Sequence, residues 1–189
     1  MRAFRKHPLA AALCAAPLLL PFAGGAQAAS SPDLVSFGVG AYDSIVFQES
    51  ADTPRNRSLD LRLEYRFGYS LLPFTEPYVQ VHPWLGVETT IDGMLFGGGG
   101  LLADLKVGPV VVTPGVGLGF WRRGGSKNLG AALEFRSQIE VGYVFDNQMR
   151  VSAFLSHISN AGVTRTNPGV NTAGAYLHIP FTKLFGGGL

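Results

Sequence analysis

The sequence predicts an all-β fold: an eight-stranded antiparallel transmembrane β-barrel of the outer membrane. Three observations predict it. An export leader opens the chain, long stretches of period-two alternation follow, and no later apolar run approaches the ~20 residues a membrane-spanning helix needs. Composition agrees, since 47% of the 189 residues are hydrophobic, only 15% are charged, and 25 are glycine. Soluble domains carry roughly 25% charged residues. An ordinary soluble enzyme fits this balance poorly, and a disordered or nucleic-acid-binding chain fits it worse.

Arg2, Arg5 and Lys6 form a basic head, Leu9 to Phe22 an apolar stretch, and Ala26-Gln27-Ala28 a small-x-small cleavage site. This is the layout of a bacterial secretory signal peptide. The expected organisation is a signal peptide over 1–28 and one barrel domain over 29–189. Cleavage removes three basic residues, so the formal charge of +2 becomes −1 and implies no polyanionic partner. Cys14, the only cysteine, leaves as well. The mature chain then has no disulfide, Cys–metal site or Cys nucleophile.

Eight segments follow, at about 33–47, 58–69, 77–90, 93–106, 109–121, 131–145, 148–159 and 171–183. In the second, Leu59, Leu61, Leu63, Tyr65, Phe67 and Tyr69 share one face, opposite Asp60, Arg62, Glu64 and Arg66. The sixth repeats the pattern, with Leu133, Phe135, Ile139, Val141, Tyr143 and Phe145 opposite Glu134, Arg136, Gln138 and Glu140. Period two over such lengths means strand. Alternation suits a soluble sandwich and a membrane barrel equally. Segment length, the even count, the leader and the lack of cysteine select the barrel, with its apolar face in lipid.

With both ends in the periplasm, the compact turns at Leu71–Glu76, Val107–Pro109 and Asp146–Gln148 lie inside. The longer Gln48–Arg57, Arg122–Gly130 and Asn160–Val170 become outer loops. Eight strands leave a lumen filled by side chains. Arg62, Glu64, Arg66, Glu134, Arg136, Glu140 and Arg150 are expected to pair there. The glycine runs at 97–100 and 115–119 lack phosphate-loop spacing and read as strand glycines.

The chemistry lies in the last two segments. Val151, Ala153 and Leu155 set a parity that puts His157 and Ser159 on the lipid face; Ala173, Ala175 and Leu177 do the same for Asn171. Polar groups facing lipid are costly unless paired or functional. A His and a Ser two apart on one strand share a face, and an imidazole in reach of a hydroxyl can take its proton as it attacks. Asn160 and the Gly162 amide follow directly and can donate to an oxyanion. Taken alone, His-x-Ser is a weak signal, because interface residues also simply meet headgroups and water. His82 and His178 read as structural, His178 lumenal by parity.

The stretch from Ser156 to Gly162 (Ser-His-Ile-Ser-Asn-Ala-Gly), followed by Asn167-Pro168-Gly169-Val170-Asn171, resembles the PagL-type lipid A 3-O-deacylases, or acyloxyacyl hydrolase family. Pro83 to Glu88, Leu133 to Ser137 and Gly142 to Asn147 extend the resemblance. It implies an outer-membrane ester hydrolase that removes the 3-linked acyl chain of lipid A with a serine nucleophile and no metal or cofactor. By position, His157 would be the base, Ser159 the nucleophile, and Asn160 with Gly162 the oxyanion stabilisers. The family pattern places a Glu where this chain has Asn171, and no Asp or Glu follows Asp146. Either Asn171 orients His157 through its amide oxygen, or Glu49 or Asp52 of the first outer loop does. The implied partners are lipopolysaccharide and the lipids of the outer leaflet, and a homodimer is allowed. Arg55, Arg57, Arg122, Arg123, Lys127 and Arg165 on outer loops either contact its phosphates or form a solvated surface. The competing reading is a non-enzymatic small barrel with a structural or adhesion role. A soluble secreted lipid-binding barrel is the third.

Overall fold

The computed structural model describes residues 31–44 and 57–186. The leader at 1–28, the loop acids Glu49 and Asp52, and Arg55 lie outside the described residues. The strands are β1 (Leu34–Tyr42), β2 (Ser58–Arg66), β3 (Val79–Thr90), β4 (Leu95–Val107), β5 (Val110–Arg122), β6 (Leu133–Val144), β7 (Arg150–Ser159) and β8 (Val170–Pro180). Each pairs antiparallel with the next, and β8 returns to β1 from Leu34–Pro180 to Tyr42–Thr172, closing the barrel.

Alternation decides which way each side chain points. Phe37, Leu61, Leu85, Leu118, Ile139 and Val141 are among the large apolar residues exposed on the outside. In water this arrangement would be inside out; in hydrocarbon it is the stable one. At the periplasmic rim Tyr65 stacks edge-on against Phe67 (5.0 Å) and Phe181 (5.7 Å), and Phe181 meets Phe185 (4.7 Å). Such rings suit the membrane–water boundary, where one end is apolar and the other wet.

The lumen is filled in two layers. A chain of ion pairs occupies its middle: Arg62 meets Asp60 (2.7 Å) and Glu88 (3.2 Å), and Arg136 joins Glu88 to Glu64. Arg66 bridges Glu64 (2.8 Å) and Glu140 (2.7 Å), and Arg150 links Glu140 (3.2 Å) to Asp104 (3.0 Å). One expectation fails. Glu134 makes no ion pair among the described residues, because it sits above this chain, where the lumen has turned apolar. Tyr42, Met94, Phe96, Trp121, Leu129, Ile158 and Val170 pack there and plug the outer end. His178 is lumenal as expected, with Nδ1 at 2.7 Å from Ser36 and Nε2 at 2.9 Å from Ser152.

Three strands end short of the expected segments; the first stops at Tyr42, with Asp43 and Ser44 beyond it. The second stops at Arg66 because the N-terminal segment crosses its end. A Cβ on Gly68 would lie 1.9 Å from the Ser31 carbonyl, and the Gly68 N–H donates to the Asp33 carboxylate. The last stops at Pro180; residues Phe181–Phe185 form the short helix α1, whose first N–H donates to the Asp33 carbonyl at 2.8 Å. Asp33 thus ties both strand ends to the inner rim.

Leu61→Arg or Ile139→Arg, at mid-strand on the lipid face, should each destabilise the folded barrel by about 2–4 kcal/mol. Gln138→Arg, one residue over and facing the lumen acids, should be tolerated better. Urea unfolding in phospholipid vesicles, followed by heat-modifiable gel mobility, measures the difference.

Candidate active site

Register brings the outward residues of β6, β7 and β8 into rows. Ser137, His157 and Asn171 lie directly opposite one another across the three strands. One row outward, Phe135 faces Ser159; one row toward the bilayer centre, Ile139, Leu155 and Ala173 align. Elsewhere among the described strands the outward face is apolar, apart from Tyr65 and Tyr143 at the inner rim and Thr89 and Arg122 at outer strand ends. Four polar residues therefore cluster on a face where each one is costly. A shallow groove of about 290 Å³ runs beneath them, lined by Ser137, Ile139, Leu155, His157 and Asn171.

His157 Nδ1 and Asn171 Oδ1 are 2.8 Å apart. With the amide oxygen as acceptor, Nδ1 carries the proton and Nε2 keeps its lone pair, the tautomer a general base needs. The reading of Asn171 as the orienting residue thus has a geometric basis, while Glu49 and Asp52 lie outside the described residues. Ser159, half-buried on the same face as His157, makes no hydrogen bond to it in this state. The two are about 6.8 Å apart along the strand, so a hydrogen bond between them requires both side chains to lean together.

The other two expected residues are placed differently from the motif reading. Asn160 is fully buried, and its side-chain amide donates to Leu129 O (2.7 Å), Thr164 Oγ1 (2.8 Å) and Thr166 O (2.8 Å). Its Oδ1 accepts the Gly162 N–H at 3.0 Å. Both donors assigned to the oxyanion are thus engaged inside the loop. Asn160 is the loop's organiser: it joins residues 160–166 to the neighbouring loop at Leu129.

Asn167 and Gly169 escape the motif reading as site residues. Asn167 Oδ1 accepts the Asn160 N–H at 3.0 Å, and its exposed amide N–H groups have no hydrogen-bond partner among the described residues. Gly169 has φ +60°, and a Cβ there would stand 2.5 Å from His157 Cε1 and 3.0 Å from Nε2. The loop end therefore lies against the Nε2–Cε1 edge of the imidazole, where only glycine fits. Ser137 can be found from parity, as the one polar residue at an outward position in the middle of the sixth segment.

The model of the lipid A 3-O-deacylase (PagL) family matches residues 61–180, most of the barrel. The chain belongs to the PagL family. Among solved structures it is similar to the outer membrane enzyme PagL, with TM-score 0.57 and 21% identity over 78% of this chain and 99% of that one. Neisserial surface protein A aligns with TM-score 0.49 and 12% identity, covering 79% of this chain and 96% of its own. The Yersinia pestis outer membrane protein Ail aligns at 0.42 and 12%, over 78% and 99%. No curated protein matches the sequence. Fold and family agree on an outer-membrane barrel, and within the PagL family the cluster on β6–β8 is this chain's candidate active site.

Gly169→Ala should displace the imidazole and lower ester hydrolysis on the order of 100-fold. Gly93 has φ +81° with nothing within 4 Å of a built Cβ, so Gly93→Ala carries the backbone strain without the clash. It should leave the rate nearly unchanged. Rates in detergent micelles, on protein whose folding is verified by gel mobility, separate the two.

Proposed function

We propose that this PagL-family barrel is an outer-membrane esterase that removes the 3-O-linked acyl chain of lipid A through an acyl-serine intermediate. The observation that carries the reading is the His157–Asn171 pair at 2.8 Å on the lipid face, one row from Ser159. A site turned outward suits a substrate that is itself a membrane lipid. The acyl chain already lies beside the barrel, so binding orders an ester without extracting it from the leaflet.

Asn171 holds the Nδ1 proton, and His157 Nε2 takes the Ser159 proton as Oγ bonds to the ester carbonyl carbon. The same nitrogen returns that proton to the departing sugar oxygen, leaving the acyl-serine. Water then attacks with His157 again as base, and the fatty acid leaves. The developing oxyanion needs donors that are free. Asn167 offers its amide N–H groups, and the Gly162 N–H joins once it releases Asn160 Oδ1. The signal peptide and the lipopolysaccharide partner belong to the same proposal. Arg57, Arg122 and Arg165 are exposed on the outer side and suit phosphate groups, whereas Lys127 is held by Asp43 at 2.6 Å and Arg123 by Ser126 O at 2.6 Å.

Mass spectrometry of lipid A from cells with and without the protein should show loss of the 3-O-linked acyl chain. Ser159→Ala and His157→Ala should each abolish that loss without unfolding the barrel, and the double variant should be no worse than either, since they act as one unit. Activity retained by Ser159→Ala overturns the acyl-serine route. For Asn171, the isosteric Asn171→Asp sets a carboxylate where Oδ1 now stands and should keep or raise kcat, while Asn171→Ala should lower it at least tenfold. A near-neutral Asn171→Ala transfers the orienting role to a first-loop acid such as Glu49 or Asp52.

A further inference from the structure

Among the inward acids of the described strands, Glu134 alone meets no arginine. It is fully buried, neither carboxyl oxygen has a hydrogen-bond partner among the described residues, and Arg136, two residues on, is turned to Glu64 and Glu88. The Ala131 N–H is near enough to act on it but closes no hydrogen bond. A buried polar group without a partner calls for an explanation. Register supplies one. Phe135 and Ser159 are the last paired residues at the outer ends of β6 and β7, so Glu134 and Asn160 come next, both continuing the inward parity and both fully buried. Facing residues on paired strands have Cβ atoms about 4.5–5.5 Å apart, well within reach of a glutamate side chain. On its other side Glu134 faces Gly119, which offers no side chain.

The bonds of Asn160 fix what that neighbour can do. Its Nδ2 has two hydrogens and already meets three acceptors, Leu129 O, Thr164 Oγ1 and Thr166 O. Its Oδ1 has two lone pairs, and the Gly162 N–H fills one. The amide therefore has room for a donor and none for an acceptor. Glu134 is that donor when it carries its proton, the state that suits a carboxyl buried without a cation. Trp121 Nε1, in the same plug, is itself a donor and cannot receive the O–H.

We propose that Glu134 is a positioning residue of the oxyanion site: its O–H donates to Asn160 Oδ1 as the Gly162 N–H leaves that oxygen for the developing oxyanion. Without Glu134, that departure leaves a buried carbonyl oxygen with no donor, a cost that falls on the transition state. With it, one hydrogen bond replaces another inside the loop, and Nδ2 keeps its acceptors. Glu134 touches no substrate and gives up no proton; it acts through Asn160.

This inference rests on the esterase reading, and the test separates the two. Purified lipid A in detergent micelles is the substrate, and released fatty acid is quantified for wild type, Glu134→Gln, Glu134→Leu and Glu134→Met. Gln keeps a donor at the same reach and should hold kcat within about twofold, whereas Leu and Met fill the volume without one and should lower kcat about tenfold at unchanged KM. An apolar side chain in an apolar plug removes an unmatched buried group, so urea unfolding in vesicles should find the Leu and Met variants at least as stable as wild type. A purely structural role would lower stability and rate together. In an Asn160→Ala background Glu134→Leu should cost nothing further, because its effect passes through that amide. Leu and Met variants as fast as wild type, a Gln variant as slow as Leu, or a further tenfold loss on top of Asn160→Ala overturns the role of Glu134. A folded wild type that releases no fatty acid from lipid A overturns the esterase reading and this inference with it.

Discussion

Hydrocarbon offers the backbone no hydrogen-bond partner, and this constraint governs the molecule. Every strand edge must be paired, so β8 must return to β1, and it does so along the whole of β1. Once the sheet is closed, the period of two leaves each side chain one of two destinations. Residues facing in share a narrow lumen with other inward residues; residues facing out meet acyl chains. Within the hydrocarbon span charges are best held in the lumen and in company, and the arginines of β2, β6 and β7 each meet at least two acids.

That internal network also reaches the site from behind. Arg62 Nη2 donates to Ser156 Oγ at 2.8 Å, and its guanidinium lies 4.2 Å from the centre of the Phe154 ring. Both partners are inward residues of β7, so Arg62 fastens that strand just beneath His157. Asn171 holds the imidazole from the neighbouring strand, and Asn160 holds the loop that follows Ser159. The strand, the ring and the loop are thus fixed separately, each by a different group. Removing one partner from a buried pair such as Arg62–Asp60 strands a charge, so the network beneath the site tolerates mutation worse than the site itself.

Much of this architecture is legible in the order of the residues. Alternation alone locates the strands to within a few residues and puts His157, Ser159 and Asn171 on one lipid-facing patch. Register then aligns His157 with Asn171, a pairing that parity cannot choose. The departures share a cause, because each depends on contacts between distant segments. Period two continues through Phe67 and Tyr69 and past Pro180, yet Ser31–Asp33 cross the rim there. Glu134 obeys the inward pattern but rises above the level of the arginines. Asn160 looks like an oxyanion donor beside the serine, and only the approach of Leu129, Thr164 and Thr166 shows its hydrogens committed. Ser137 needs two steps, its parity on β6 and its place opposite His157.

The amide at Asn171 is compatible with the same constraint. A carboxylate on the lipid face costs more than an amide unless a positive charge stands beside it. An amide avoids that resting cost and still fixes the tautomer through one acceptor oxygen. What it gives up is attraction for the imidazolium once the proton has moved, a benefit that appears only during turnover. The chain compensates by geometry: Asn171 stands directly across the ladder at hydrogen-bonding distance, and Gly169 closes on the opposite edge of the ring. In the proposed reaction, a ring already confined on two sides leaves less of the barrier for charge to lower. Rigid placement in the resting state and charge in the transition state are alternative ways to favour the same proton transfer, and a site immersed in lipid has reason to lean on the first.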